Sequence, residues 1–132
     1  MDKKILIVDD EAPIRDMLSH RFARDGFDVA TAATAEEALE ILESQNIHVM
    51  FLDLKLPGMN GVELCRAVRE KNPIACIYAV TGYQTLFELA ECRMAGFDDY
   101  FTKPVKLERL LKAADEAFEK LDRWTSREEI RN

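Results

Sequence analysis

Cysteine is scarce and odd in number: Cys65, Cys76 and Cys92 fall in neither CxxC nor Cys/His metal spacing, so neither a disulfide framework nor a zinc centre is predicted. The three thiols are expected to act as small apolar residues in a reducing cytoplasm. Long hydrophobic runs are also missing. The longest lies in Ile74 to Val80 and is broken by Tyr78, far short of the roughly 20 residues that cross a bilayer. No membrane span or signal peptide is read in the sequence. Nor is there an excess of positive charge. Eighteen Lys and Arg face 25 Asp and Glu, for a net charge of −7, which disfavours direct nucleic-acid binding by this segment. The two histidines, His20 and His48, have no acid or nucleophile at a suggestive spacing, so packing or solvated roles are expected for both.

What the chain does have is regular alternation. At 132 residues it has the usual length of one domain with a buried core of its own. Short β-branched runs at Ile5 to Val8, Ile47 to Leu52 and Ile74 to Val80 read as strands buried on both faces of a parallel sheet. Phe27, Val29 and Thr31 alternate with Asp28, Ala30 and Ala32, as suits a more exposed edge strand, and Asp99 to Thr102 supplies a short fifth one. Helical spacing appears between them, for example in Ile14, Leu18 and Phe22, and in Ala38, Leu39 and Leu42. Pro13 suits a first turn, Thr34 to Glu37 forms a capping box, and Asn60 caps a helix running from Gly61 to about Lys71. Gly26 and Gly96 sit where left-handed helix stops are wanted. A fourth helix is predicted from about Gln84 to Ala95, and a fifth from Leu107 to beyond Leu121.

Five βα units with right-handed crossovers predict a doubly wound α/β sandwich of flavodoxin-like type, with a five-stranded parallel sheet of order 2-1-3-4-5. In such a sheet the ligand crevice opens at the carboxyl ends of the strands where the winding reverses, here between the first and third. The residues just past those ends are Asp9, Asp10 and Asp53. Two carboxylates about 4 Å apart repel by roughly 4 kcal/mol at an effective dielectric near 20, so a third makes a proton or a cation necessary. A hard ion fits best, because Mg²⁺ takes about six oxygens and no imidazole or thiolate favours zinc. Mn²⁺ is a workable substitute. Thr81-Gly82 follows the fourth strand and Lys103-Pro104 the fifth. A hydroxyl, backbone amides and an ammonium facing a triad of acids suit a phosphoryl group carried on one carboxylate. Asp53, opposite the Lys/Thr pair, is the reasonable nucleophile, assisted mainly by positioning and charge neutralisation.

The segments IVDDEAPIR, FLDLKLPGMNG, AVTGY and DDYFTKP resemble the signature segments of the bacterial two-component response regulator receiver domain, the CheY-like superfamily. The resemblance spans Lys3 to about Leu121. It implies that Asp53 is the phosphoacceptor, that Asp10 and Asp53 ligate the metal directly and Asp9 through water, and that the Lys55 backbone carbonyl completes the site. It further implies that Thr81 and Lys103 contact the phosphoryl oxygens, that Tyr100 is the switch aromatic partnering Thr81, and that the Lys103-Pro104 bond is cis. The implied donor is the phosphohistidine of a sensor histidine kinase or phosphotransfer protein, or a small acyl phosphate. The implied receiver of the signal is a downstream protein or output domain that reads the surface of the fourth helix, fifth strand and fifth helix. Such a chain is a regulatory protein that assists its own phosphorylation and dephosphorylation, not an enzyme with a separate substrate. In this family the residues two after the acceptor and two after the threonine, here Lys55 and Tyr83, govern phosphoryl lifetime, and their size predicts slow hydrolysis.

Three rivals share parts of this pattern. A flavin carrier would cradle phosphate in a Gly/Ser/Thr-rich loop after the first strand, where Asp9, Asp10 and Glu11 repel it. A Mg-dependent phosphatase with an Asp nucleophile needs a second acid at the position that Lys55 holds. An unphosphorylated docking module would not need all five site types. GFDDYFTKP also resembles the receivers of winged-helix transcription factors, but Arg109 and Ala113 stand where that subclass bridges its dimer with an acid and an arginine. The receiver is expected over residues 1–121, with 122–132 as a helical extension or the start of a linker. Leu110, Ala114, Ala117, Phe118, Leu121 and Trp124 keep helical spacing, so the fifth helix is predicted to continue to around Ser126 and offer Trp124 to a second subunit or a target protein.

Overall fold

A computed structural model of the chain describes residues 3–82 and 85–131, with 126–131 as backbone alone. Five strands alternate with five helices: β1 (Lys4–Val8), α1 (Ala12–Arg24), β2 (Asp28–Ala32), α2 (Ala35–Ser44), β3 (Val49–Leu52), α3 (Gly61–Lys71), β4 (Cys76–Thr81), α4 (Leu86–Ala95), β5 (Asp99–Thr102) and α5 (Leu107–Arg131). All neighbouring strands are parallel, in the order β2-β1-β3-β4-β5. The predicted winding is the observed one.

Alternation along the strands feeds two apolar layers. Leu6, Val8, Met50, Leu52, Ile77 and Ala79 meet α2, α3 and α4 on one face. Ile5, Ile7, Val49, Phe51, Tyr78 and Val80 meet α1 and α5 on the other. The second layer is aromatic, with Phe22 against Phe51 at 5.4 Å between centroids and Phe51 stacked on Tyr78 at 5.1 Å. Cys65, Cys76 and Cys92 are all buried. Desolvation in these layers pushes the Cys65 thiol up to about 12.

Strand starts lie further along than the apolar runs suggest. β3 begins at Val49 rather than Ile47, and β4 at Cys76 rather than Ile74, because Asn72 to Ala75 close a turn (Ala75 N–H to Asn72 O, 3.2 Å) that leaves Ile74 about half exposed. At the expected fourth helix the Thr85 hydroxyl accepts the Glu88 N–H at 3.2 Å, so α4 starts at Leu86. Gln84, the predicted start, lies outside the described residues. Asn60 and Glu63 form a reciprocal capping box on α3. At α2 only half of the predicted box forms, since Glu37 accepts from Ala33 N–H and not from Thr34. Gly26 and Gly96 have φ of 95° and 105°, the left-handed conformation that favours glycine. Among the described residues, no helix is long and apolar enough to cross a membrane.

The tail of α4 is bolted down. Arg69 of α3 donates to the carbonyls of Pro73, Ala75 and Gly96 and to Asp98 Oδ2, the last at 3.1 Å. Asp98 Oδ2 also accepts the Ile77 N–H at 2.7 Å. Cys65 Sγ donates to Ala95 O at 3.5 Å.

Candidate functional site: an acidic crevice at the strand ends

The site is built by extending the ladders one residue past the strands. Register aligns Val8 with Leu52 and Thr81 with Thr102, so the residues that follow land on one rim. Their backbones remain paired: Asp9 N–H to Ala32 O at 3.1 Å, Asp53 N–H to Val8 O at 2.8 Å, and Lys103 N–H to Thr81 O at 2.7 Å. The side chains therefore project from the lip of the sheet rather than from free loops.

Asp9 is held from three directions. Its Oδ1 accepts the Glu11 N–H at 2.9 Å, its Oδ2 accepts from Lys103 Nζ at 3.0 Å, and its carbonyl accepts from Arg15 Nη1 at 2.8 Å. Asp53 Oδ1 accepts the Lys55 N–H at 3.2 Å, and Oδ2 lies 3.4 Å from the same Lys103 nitrogen. Asp9 and Asp53 are buried, whereas Asp10 is exposed at the mouth. Carboxylate oxygens of Asp9, Asp10 and Asp53 all lie within 4.8 Å of one another.

Burial pushes the Asp53 carboxyl above its ordinary value, and the Asp9 charge adds to this. The Lys103 ammonium and the Lys55 N–H oppose the rise without cancelling it. Burial pulls Lys103 down, but its hydrogen bond to Asp9 and the charges of Asp53 and Asp9 outweigh that and hold the ammonium above its usual value. Three carboxylates against one ammonium leave negative charge in the crevice, and all three donors are oxygens. That set fits a hard divalent cation and offers nothing to a soft one.

The structure thus brings together Asp9, Asp10, Asp53 and Lys103 directly, and Lys55 through its backbone. Thr81 is buried at the end of β4, next to Lys103 in the ladder. The Lys103-Pro104 bond is cis, as the resemblance implies. Tyr100, 42% exposed, lines a separate cavity of about 250 Å³ with Phe101, Thr102, Pro104, Lys106 and Arg109. The Lys55 side chain is exposed, and Tyr83 lies outside the described residues. Two features were not read from the sequence. Arg15 reaches back to the Asp9 carbonyl, a contact foreshadowed only by its place in the segment IVDDEAPIR. Gly61 packs against the Asp53 backbone, where a Cβ would meet the Asp53 carbonyl oxygen at 2.2 Å.

The sequence profile of the response regulator receiver domain matches residues 5–115. The alkaline phosphatase synthesis transcriptional regulatory protein PhoP of Bacillus subtilis (strain 168) is 38% identical over 104 residues, which is 79% of this chain and 43% of that protein. A cyclic di-GMP phosphodiesterase of Thermotoga maritima is 37% identical over 106 residues, 80% of this chain and 28% of that protein. The chain thus spans less than half the length of either relative. Among solved structures, a CheY-like receiver domain protein from Methanospirillum hungatei superposes with a TM-score of 0.84 at 35% identity, covering 91% of this chain and 99% of that one.

Proposed function

The chain belongs to the response regulator receiver domain family of two-component systems, and on that premise we propose that Asp53 accepts a phosphoryl group in a reaction that depends on a divalent cation. The observation that carries this reading is the single Lys103 ammonium shared by Asp9 and Asp53 in a crevice of three acids. Asp9, Asp10, Asp53 and the Lys55 carbonyl would hold Mg²⁺, which when bound neutralises charge on the acceptor and on the incoming phosphoryl oxygens.

The chain's own residues do the rest. The Lys55 N–H orients the Asp53 carboxylate through Oδ1, leaving Oδ2 as the atom directed to Lys103. On this reading Oδ2 attacks phosphorus in line with the leaving group, which departs with its bonding electron pair. The Lys103 ammonium turns to the transferred oxygens, and the Thr81 hydroxyl and neighbouring backbone N–H groups supply further donors. Attack requires the carboxylate form, so the charge of Lys103 works against the burial that favours the neutral acid.

The donor is a phosphohistidine on a sensor kinase or phosphotransfer protein, or a small acyl phosphate. The signal leaves by the face of α4, β5 and α5, where Leu86, Phe87 and Met94 are largely exposed and Tyr100 is half-exposed. A shift of Thr81 toward the phosphoryl group opens room for Tyr100, a two-state packing change. The test is acetyl phosphate with Mg²⁺. One hydroxylamine-labile phosphoryl group per chain is expected, absent in Asp53→Asn and in chelator. Equal labelling of that variant would refute the assignment.

A further inference from the structure

The carbonyl that Arg15 holds belongs to the peptide bond joining Asp9 to Asp10. Fixing that plane sets the dihedral angles on either side of it, and with them the direction in which Asp10 leaves the backbone. Asp9 is secured independently, by Glu11 N–H and by Lys103. Asp10 is different: it is exposed, and no hydrogen bond to its carboxylate is seen among the described residues. Its place within 4.8 Å of Asp9 and Asp53 oxygens is therefore dictated by the backbone that carries it. Among the described residues, the helix start around this turn contributes the bonds of Ile14 and Arg15 N–H to Glu11 O, two residues past the Asp9 carbonyl and so too late to fix the Asp9–Asp10 plane.

We propose that Arg15 is a positioning residue for the divalent cation: its guanidinium clamps the Asp9–Asp10 peptide and so holds the Asp10 carboxylate where the cation needs it. This rests on the cation reading above. It also carries a sign that separates it from plain electrostatics. A positive side chain beside an acidic crevice repels a cation, so removing its charge would tighten binding if charge alone mattered. If positioning matters, removal weakens binding, as losing an outer-sphere orienting group commonly does by about 10-fold or more.

The experiment measures free Mn²⁺ by electron paramagnetic resonance in titrations of the wild-type chain, Arg15→Met and Arg15→Lys, with the melting temperature of each. Arg15→Met is expected to raise the Mn²⁺ Kd by about 10-fold. Arg15→Lys, which keeps a donor on a shorter reach, should recover part of the loss. An unchanged or lower Kd in Arg15→Met overturns the inference, as does a melting-temperature loss equal in both variants with Kd unchanged. Should the wild-type chain itself bind no Mn²⁺, the cation reading fails first, and this inference with it.

Discussion

Lys103 Nζ lies 3.0 Å from Asp9 Oδ2 and 3.4 Å from Asp53 Oδ2, one ammonium shared by two buried acids from different strands. It serves as an internal counter-ion that ties the ends of β1, β3 and β5 together. Removing one partner of a buried pair costs up to about 3–5 kcal/mol when the other stays charged. Here the loss has a ceiling, because burial already raises the Asp53 carboxyl above its ordinary value and it can take up a proton once the ammonium is gone.

Lys103→Met is therefore expected to lose about 1–3 kcal/mol of stability in chelator at pH 8, and less at pH 5. The sign follows from Asp53: losing Lys103 raises its folded pKa further above the unfolded value, so the stability present at low pH is lost as pH rises. Mg²⁺ should restore part of it. Urea unfolding at both pH values, with and without Mg²⁺, reads the effect, and an equal loss at pH 5 and pH 8 would contradict it.

Gly61→Ala places a methyl group 2.2 Å from the Asp53 carbonyl oxygen and 2.8 Å from Leu54 Cα. Both obstacles are backbone, so α3 and the strand that carries Asp53 must part. A loss of about 1–3 kcal/mol is expected, with slower phosphorylation by acetyl phosphate. Wild-type stability and labelling rate in this variant would mean that α3 yields without disturbing the site.

Alkali should destabilise the fold through its thiols. The Cys65 pKa rises from 9.0 to about 12 on folding, chiefly by desolvation. This stability is fully present below pH 9, is lost as pH rises toward 12, and is joined by the raised Cys76 and Tyr78. Cys65→Ala should flatten the decline in melting temperature between pH 9 and 11. Iodoacetamide at pH 8 should leave the folded chain unlabelled, and rapid labelling of native protein would refute the burial argument.

Trp124 is 52% exposed on α5, one turn past Leu121, which is buried. It is the sole tryptophan, so its emission reports this surface alone. A blue shift with rising concentration or added partner is expected, and Trp124→Ala should weaken association while leaving Asp53 labelling intact. Emission independent of both, with unaltered association in the variant, would remove the contact.

The alternation of apolar runs with helical spacing carried the winding, because strands buried on both faces must be nearly continuously apolar, and β1, β3 and β4 are. The rim of acids followed, since the residue after a parallel strand has nowhere else to go. Boundaries were harder. Ile74 looks like strand but sits in the turn closed by Asn72, because an apolar residue carries no mark of whether a neighbour strand reaches it. The pattern from Thr85 to Glu88 is a capping signal legible in the sequence, and it sets the start of α4 at Leu86. Long-range clamps were not legible at all. Arg15 on the Asp9 carbonyl and the fit of Gly61 to the Asp53 backbone depend on how far α1 and α3 approach the sheet, a distance that no local pattern encodes.

Arg69 holds Gly96 and Asp98 at the end of α4, while Leu86 and Phe87 at its beginning are more than two-thirds exposed. In mechanical terms the helix is a lever with its fulcrum at Gly96. A push delivered near Thr85 would move Leu86 and Phe87 furthest and Ala95 least, so on the proposed reading the residues a partner would feel would travel the longest arc.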